Sequence, residues 1–207
     1  MPGGARDIRI LPGIAQRDVK APDVMRGEET QLLGALGLAA AGEALVCMPG
    51  THSKWVRVKD GTVAHFSTFM TGELFSVVSR ETILSLAVAG ADDAEDAASF
   101  RTAVKAAFEA PAFAANLLFG ARSRQLLFGG TPAAARETLS GTLIGVELAA
   151  GLSGAVPKAG VTLIASGRLA MLYRLAFDAL PVIVTPIDAD EAVRRGLSMA
   201  AAAIWTS

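Results

Sequence analysis

The sequence predicts an α/β domain, on three observations. The last third alternates strand-like and helix-like segments, Asp60-Gly61 separates two strand-like runs, and 52% of residues are hydrophobic against 19% charged. Alternation of strand and helix implies parallel strands with helices packed on the sheet.

Taken in order, Ile8 to Leu11 reads as a strand stopped by Pro12-Gly13, and Gln16 to Pro22 as a loop. Glu28 to Leu38 reads as a helix, since Leu32, Leu33 and Leu36 recur at helical spacing and Gly37 can end it. Ala44 to Met48 is a short buried-type strand broken by Pro49-Gly50. Lys54 to Lys59 and Thr62 to Phe66 form a hairpin across Asp60-Gly61, a dipeptide that tolerates positive φ.

From Gly72 to Leu84 the apolar residues fit one helix face, with Thr71 as the expected cap. Ala91 to Phe128 changes texture, from an acidic stretch (Asp92, Asp93, Glu95, Asp96) to Phe100, Val104, Phe108 and Phe113. It reads as two or three small helices forming an insertion or lid. Thr131-Pro132 starts a helix with a cap and a first-turn proline, running to about Leu152, and its Gly141, Gly145 and Gly151 suit close helix packing. Val161 to Ala165 follows as strand, Ser166-Gly167 as turn, Leu169 to Leu180 as helix, Val182 to Val184 as strand and Asp190 to Ile204 as helix.

Composition narrows the function. Nineteen Lys and Arg against twenty Asp and Glu give a net charge of −1, so no general field draws a nucleic-acid backbone or an anionic membrane. A charged substrate must be held by local groups. Cys47 is the single cysteine and there are two histidines, too few for an intramolecular disulfide or a zinc cluster, which fits a reducing cytoplasm. The mean hydropathy of +0.43 comes from Ala, Leu and Val scattered between charges. No apolar run reaches the roughly 18 residues of a spanning helix, and Met1 to Arg9 lacks the order of a signal peptide.

Three polar knots interrupt the aliphatic background: Asp23 to Gln31, Met48 to Trp55, and Met70-Thr71-Gly72-Glu73. Such knots cost stability unless they bind something. Gly50-Thr51-His52-Ser53 can form an anion nest for phosphate oxygens or an ordinary turn between strands. Its spacing is not that of a P-loop. Glu28 and Glu29 suit a helix dipole without further purpose, whereas Arg26 is unhelpful at that end and its fork suits a carboxylate or phosphate. Thr71-Gly72-Glu73 fits a capped helix start. Lys54 either reaches a phosphate or is solvated, His52 either bonds a substrate or closes the turn, and Trp55 reads as core. His65 reads as structural and Cys47 as no nucleophile. Ser166-Gly167, between a buried strand and a helix, is either a helix start or a place where a nucleotide approaches the backbone.

The runs Met25 to Gln31, Pro49 to Trp55 and Met70 to Glu73, with Leu11-Pro12-Gly13, resemble the 2-dehydro-3-deoxygalactonokinase family along nearly the whole chain. The resemblance implies the actin-like ATPase (ribonuclease H-like) superfold, here mostly its carboxy-terminal lobe with a hairpin and a helical insertion at about 91–128. It divides the chain into residues 1–26, a remnant of the amino-terminal lobe, and 27–207, the carboxy-terminal kinase lobe. It implies transfer of the ATP γ-phosphoryl group, with magnesium, to the terminal hydroxyl of 2-dehydro-3-deoxy-D-galactonate in galactonate catabolism. Glu28 or Glu29 would be the base. Arg26, His52, Lys54, Thr71 and Glu73 would hold the sugar acid, and Gly50, Thr51, Ser53, Ser166 and Gly167 the nucleotide, with no residue assigned to metal.

The family's amino-terminal acidic strand and Gly-Ser/Thr phosphate hairpin have no counterpart before Leu11. The expectation is therefore the carboxy-terminal part of a kinase, either a shortened protein or one whose remainder is a second chain, with the activity of this chain alone left open. A homodimer is a further arrangement. A non-catalytic protein that binds sugar acid or nucleotide is the competing reading, and an oligomerisation domain a third.

Overall fold

The computed structural model describes residues 7–37, 41–91 and 96–205. Two strands, β1 (Ile14–Gln16) and β2 (Asp23–Met25), form an antiparallel ribbon. Helix α1 (Glu28–Leu36) leads to β3 (Glu43–Met48), β4 (Ser53–Lys59) and β5 (Thr62–Phe69). Helices α2 (Thr71–Glu81), α3 (Ser85–Val88), α4 (Ala97–Glu109), α5 (Ala114–Phe128) and α6 (Pro132–Gly151) follow, then β6 (Val161–Ile164), α7 (Gly167–Phe177), β7 (Val184–Ile187) and α8 (Ala189–Trp205).

The main sheet runs β5-β4-β3-β6-β7, with β3-β4-β5 antiparallel and β3-β6-β7 parallel. Because side chains alternate along a strand, β3 serves two cores. Leu45 and Cys47 pack with Phe100, Val104, Ile144, Leu148, Tyr173 and Phe177 from α4, α6 and α7. Val46 and Met48 pack on the other face with Leu32 of α1 and Ala192 of α8. The sheet is thus sandwiched between two helical layers, which is why its central strand reads as continuously apolar.

Glycines set the closest helix contacts. A Cβ at Gly141 would lie 2.5 Å from the Phe100 carbonyl oxygen, and one at Gly145 2.5 Å from that of Val104, so α4 lies directly against α6. On the other face Gly34 of α1 meets α8, where an added Cβ would overlap the Ala192 carbonyl oxygen.

The hairpin turn is as expected, with Asp60 at φ 48° and Gly61 at φ 73°. Gly37 ends α1, its N–H donating to Leu33 O, and the expected last residue, Leu38, lies outside the described residues. Thr131 caps α6 by accepting from the Ala134 N–H.

Several expectations are corrected. Ile8 to Leu11 forms no strand; Ile8 and Ile10 are exposed, and the first strand is Ile14–Gln16. Asp23–Met25, expected within a polar knot, is a strand because its partner β1 and its own side chain tie it to β5. The Gln16 amide donates to Phe66 O and accepts from the Phe66 N–H, while Asp23 accepts from the Thr68 N–H and hydroxyl.

Helix α2 stops at Glu81, because the Thr82 hydroxyl donates to Val78 O, occupying the carbonyl that a further turn would use. The last strand begins at Val184 and continues to Ile187, past the expected end. The segment expected as an insertion or lid is helical, but α4 is no lid: Phe100 and Val104 are fully buried in the sheet-facing core. Asp92, Asp93 and Glu95 lie outside the described residues.

Candidate functional site at the carboxyl ends of the parallel strands

Strands β3, β6 and β7 are parallel, so their carboxyl ends share one edge. The antiparallel β4 begins and β5 ends at this edge, which brings together the turn 49–52, the start of α2, Ser166-Gly167 and Asp188. In open α/β sheets this is where ligands bind.

The Gly50–Ser53 turn is held from both sides. Ser53 is fully buried; its hydroxyl accepts a long 3.4 Å bond from the Gly50 N–H and lies 3.2 Å from Tyr173 Oη. Thr51 O accepts from the Glu73 N–H at 3.0 Å. A Cβ at Gly72 would lie 2.6 Å from Gly50 O, so only glycine lets α2 rest on the turn. His52 Nε2 lies 2.6 Å from Glu73 Oε2, with both side chains about half exposed.

Lys54 points the other way. Its nearly buried ammonium donates to His52 O and pairs with Glu28 Oε1 at 3.1 Å. Glu28 Oε2 accepts from the Arg26 N–H, and Glu29 Oε2 from the Gly27 N–H at 2.6 Å. Both carboxylates therefore cap the start of α1, but only Glu28 also reaches the turn. The Arg26 guanidinium is exposed and makes no hydrogen bond or ion pair among the described residues. Arg26, Glu28, His52, Lys54 and Glu73 thus form a polar rim with the exposed Thr51.

Three expected ligand groups are otherwise engaged. Ser53 is buried beneath the turn. The Thr71 hydroxyl does not cap α2, whose N-cap is Met70; it donates to Glu147, although Thr71 still lines a neighbouring cavity. Ser166 Oγ donates to Asp188 at 2.9 Å and accepts from the Ala189 N–H, tying the end of β6 to the start of α8. Gly167 has φ 59°, a conformation that favours glycine, with open space where a Cβ would stand.

Glu147 is the principal group that sequence reasoning missed. It is buried in α6 and accepts from Trp55 Nε1 (2.9 Å), Tyr173 Oη (2.7 Å) and Thr71 Oγ1. Burial raises its carboxyl pKa, and the bonds from Thr71, Tyr173, Trp55 and Ser53 oppose that rise. Burial, and then the Glu147 charge, push the Tyr173 hydroxyl and the Cys47 thiol well up, which leaves Cys47 a poor nucleophile. A lone carboxylate among Leu143, Ile144 and Leu148 was the available signal, since a buried acid needs donors.

A cavity of about 270 Å³ opens between the turn, α2, α6 and α7, with apolar walls from Phe75, Leu143, Leu169 and Leu172. One wall is charged, where Arg168 pairs with the buried Glu137 at 3.0 Å. A second crevice of about 230 Å³ lies along Ser166, Gly167, Arg174 and Asp188. Hydrogen bonds from the Glu191 N–H and the Ser166 hydroxyl hold Asp188 below the usual carboxylate range. Among the described residues, no three His, Cys, Asp or Glu side chains converge as a metal site, and no helix is long and apolar enough to cross a membrane.

The fold and this edge define an α/β domain with a polar rim and two cavities at its parallel strand ends. Residues 3–200 match the model of the 2-keto-3-deoxy-galactonokinase family. A protein of Rhizobium meliloti assigned as a 2-dehydro-3-deoxygalactonokinase is 59% identical over 206 residues, 99% of this chain and 67% of the relative. The 2-dehydro-3-deoxygalactonokinase of Escherichia coli is 33% identical over 198 residues, 96% of this chain and 66% of that protein. A crystal structure of a Sinorhizobium meliloti protein assigned to the same activity superposes with a TM-score of 0.93 at 58% identity, covering 100% of this chain and 69% of that one. The chain belongs to the 2-keto-3-deoxy-galactonokinase family, a family of carbohydrate kinases. It spans about two thirds of the length of these relatives.

Proposed function

We propose that this chain provides the site for ATP-dependent phosphorylation of 2-dehydro-3-deoxy-D-galactonate to its 6-phosphate. The supporting observation is the polar rim from Arg26 through Glu28, Lys54 and His52 to Glu73, built from the segments that carry the family resemblance.

Phosphoryl transfer asks the protein mainly for positioning and charge. In this reading Arg26 binds the sugar-acid carboxylate through its unengaged fork. Glu28 accepts the proton of the terminal hydroxyl as that oxygen forms its bond to the γ-phosphorus and the bond to the β,γ-bridging oxygen breaks, leaving ADP. Lys54 orients Glu28 through their 3.1 Å ion pair. His52, held by Glu73, bonds a substrate hydroxyl, while Thr51 and its neighbouring N–H groups face the phosphates. Glu29, engaged with the Gly27 N–H, is the less suited of the two carboxylates.

In this reading the nucleotide base enters the 270 Å³ cavity beside Gly50, whose apolar walls suit a base and whose Glu137–Arg168 wall offers polar partners. The open space at Gly167 allows a ribose or phosphate to approach the backbone. Magnesium would arrive with the ATP phosphates, since such ions need only one or two carboxylates from the protein. The described residues gather no ligand set of their own, and no step here is routed through the ion.

The actin-like, ribonuclease H-like assignment is part of the proposal. A three-strand antiparallel meander continued by two parallel strands, with helices on both faces, supports it. The same reading takes residues 27–207 as one kinase lobe. It also places the protein in the cytoplasm, a setting that suits the single buried thiol.

The test is ATP-dependent phosphorylation of 2-dehydro-3-deoxy-D-galactonate by the 207-residue chain, with ATP binding recorded on the same sample. Binding of ATP is expected, and turnover would show that this chain carries the whole catalytic site. Binding without turnover would assign the catalytic step to residues outside this chain, and neither binding nor turnover would overturn the reading.

A further inference from the structure

Glu147 lines neither of the two cavities, yet it joins three elements around them. Its Oε1 takes the Trp55 indole N–H of β4, two residues beyond the buried Ser53. Its Oε2 takes the hydroxyls of Thr71, the first residue of α2, and of Tyr173, on the helix that Gly167 begins. Tyr173 Oη in turn lies 3.2 Å from Ser53 Oγ, which accepts from the Gly50 N–H. One carboxylate therefore gathers donors from β4, α2 and α7, each attached to a ligand-facing turn.

We propose that Glu147 is a positioning residue that fixes the Gly50–Ser53 turn, the start of α2 and helix α7 in one arrangement, so that the phosphate end and the base end of a bound nucleotide are held at a constant separation. The proposal rests on the reading that this edge faces a nucleotide.

The physical argument has two parts. Apolar packing alone resists compression but permits sliding, whereas hydrogen bonds to a charged acceptor are directional and stronger than neutral ones. A carboxylate supplies several acceptor lone pairs, enough for all three donors, which no other side chain of similar size offers without adding donors of its own. The desolvation it carries is tolerated because every donor is used: among the described residues no buried side-chain nitrogen or oxygen lacks a partner. The bonds also act at the points where α2 rests on the turn, since Thr71 precedes Gly72, whose missing side chain admits Gly50 O, and Glu73, whose N–H is bound by Thr51 O.

The experiment compares Glu147→Gln, Thr71→Val and Thr71→Ser with the parent chain by amide hydrogen exchange without ligand and by ATP titration. Val104→Ala, in the same core but outside the network, is the control for simple destabilisation. In Glu147→Gln and Thr71→Val, exchange at Gly50 to Ser53 and at Gly72 to Leu74 should rise by about tenfold through local opening. ATP affinity should weaken by about tenfold, equivalent to one well-made contact. Thr71→Ser, which keeps the donor, should restore both, and Val104→Ala should leave ATP affinity within about twofold.

Unchanged exchange at those amides in a folded Glu147→Gln protein would overturn the proposal. Should that variant not fold, unchanged exchange in Thr71→Val would do the same. If the parent chain binds no ATP, the nucleotide reading fails, and the ligand-free exchange data still decide whether Glu147 holds the turn.

Discussion

The ammonium nitrogen of Lys54 lies 3.1 Å from Glu28 Oε1, linking β4 to the first turn of α1 across the sheet edge. Lys54 is nearly buried and Glu28 mostly so, which shields the pair from solvent screening. A double-mutant cycle with Lys54→Met and Glu28→Gln, read by urea unfolding, should give a coupling energy of about 0.5–3 kcal/mol. Purely additive effects would show that the pair is not an energetic unit.

The two carboxylates at the start of α1 should separate in function. Glu28 reaches the turn through Lys54, whereas among the described residues Glu29 bonds only the Gly27 N–H. In a turning-over enzyme, Glu28→Gln should lower kcat by roughly 100- to 10,000-fold, the usual loss for a general base. Glu29→Gln should mainly cost stability. Equal kcat for Glu28→Gln and the parent would remove Glu28 as base.

Gly34 and Gly196 should each resist substitution by alanine. Added Cβ atoms would overlap the carbonyl oxygens of Ala192 and Thr30 respectively, and backbone oxygens cannot rotate aside. Forcing α1 and α8 apart should cost about 1–3 kcal/mol each, as other overpacked sites do. The two changes address one contact, so the double variant should lose less than the sum. A Tm equal to the parent's for Gly34→Ala would contradict this packing.

Stability should carry a pH signature from Glu147. Burial raises its folded-state pKa, and in the unfolded chain the carboxyl returns to its ordinary value. The stability linked to its protonation is therefore fully present below the ordinary carboxylate range and is lost as pH rises through the raised value. Asp188 and Glu191, whose pKa values are lowered, act in the opposite sense as pH falls. The difference between parent and Glu147→Gln isolates the one group: the variant should gain relative stability as pH rises through that window. A pH-independent difference in unfolding free energy would contradict a raised Glu147 pKa.

Most of the fold was legible because local chemistry and tertiary structure agree. Asp60-Gly61, Thr131-Pro132 and Gly37 each do in the structure what their backbone preferences suggest. The failures lie where a distant side chain decides. Thr71 suits a cap, but Glu147, 76 residues on, takes its hydroxyl. Asp23–Met25 looks like a loop until Thr68 donates its N–H and hydroxyl to the Asp23 carboxylate and β1 pairs with the segment. At the site, the polar rim was visible as charge within an aliphatic chain. The cavity wall was not, because Glu137 and Arg168 are separated by 31 residues and meet only when α6 packs beside α7.

The amide of Gln16 also does for β5 what a neighbouring strand would do, filling both outward backbone valences of Phe66 while Asp23 occupies Thr68. An outer strand with vacant backbone groups is a template on which another polypeptide can add itself. The small ribbon of β1 and β2 therefore acts as a guard rail. Gln16→Ala would leave the polar rim untouched and yet open the sheet to self-association.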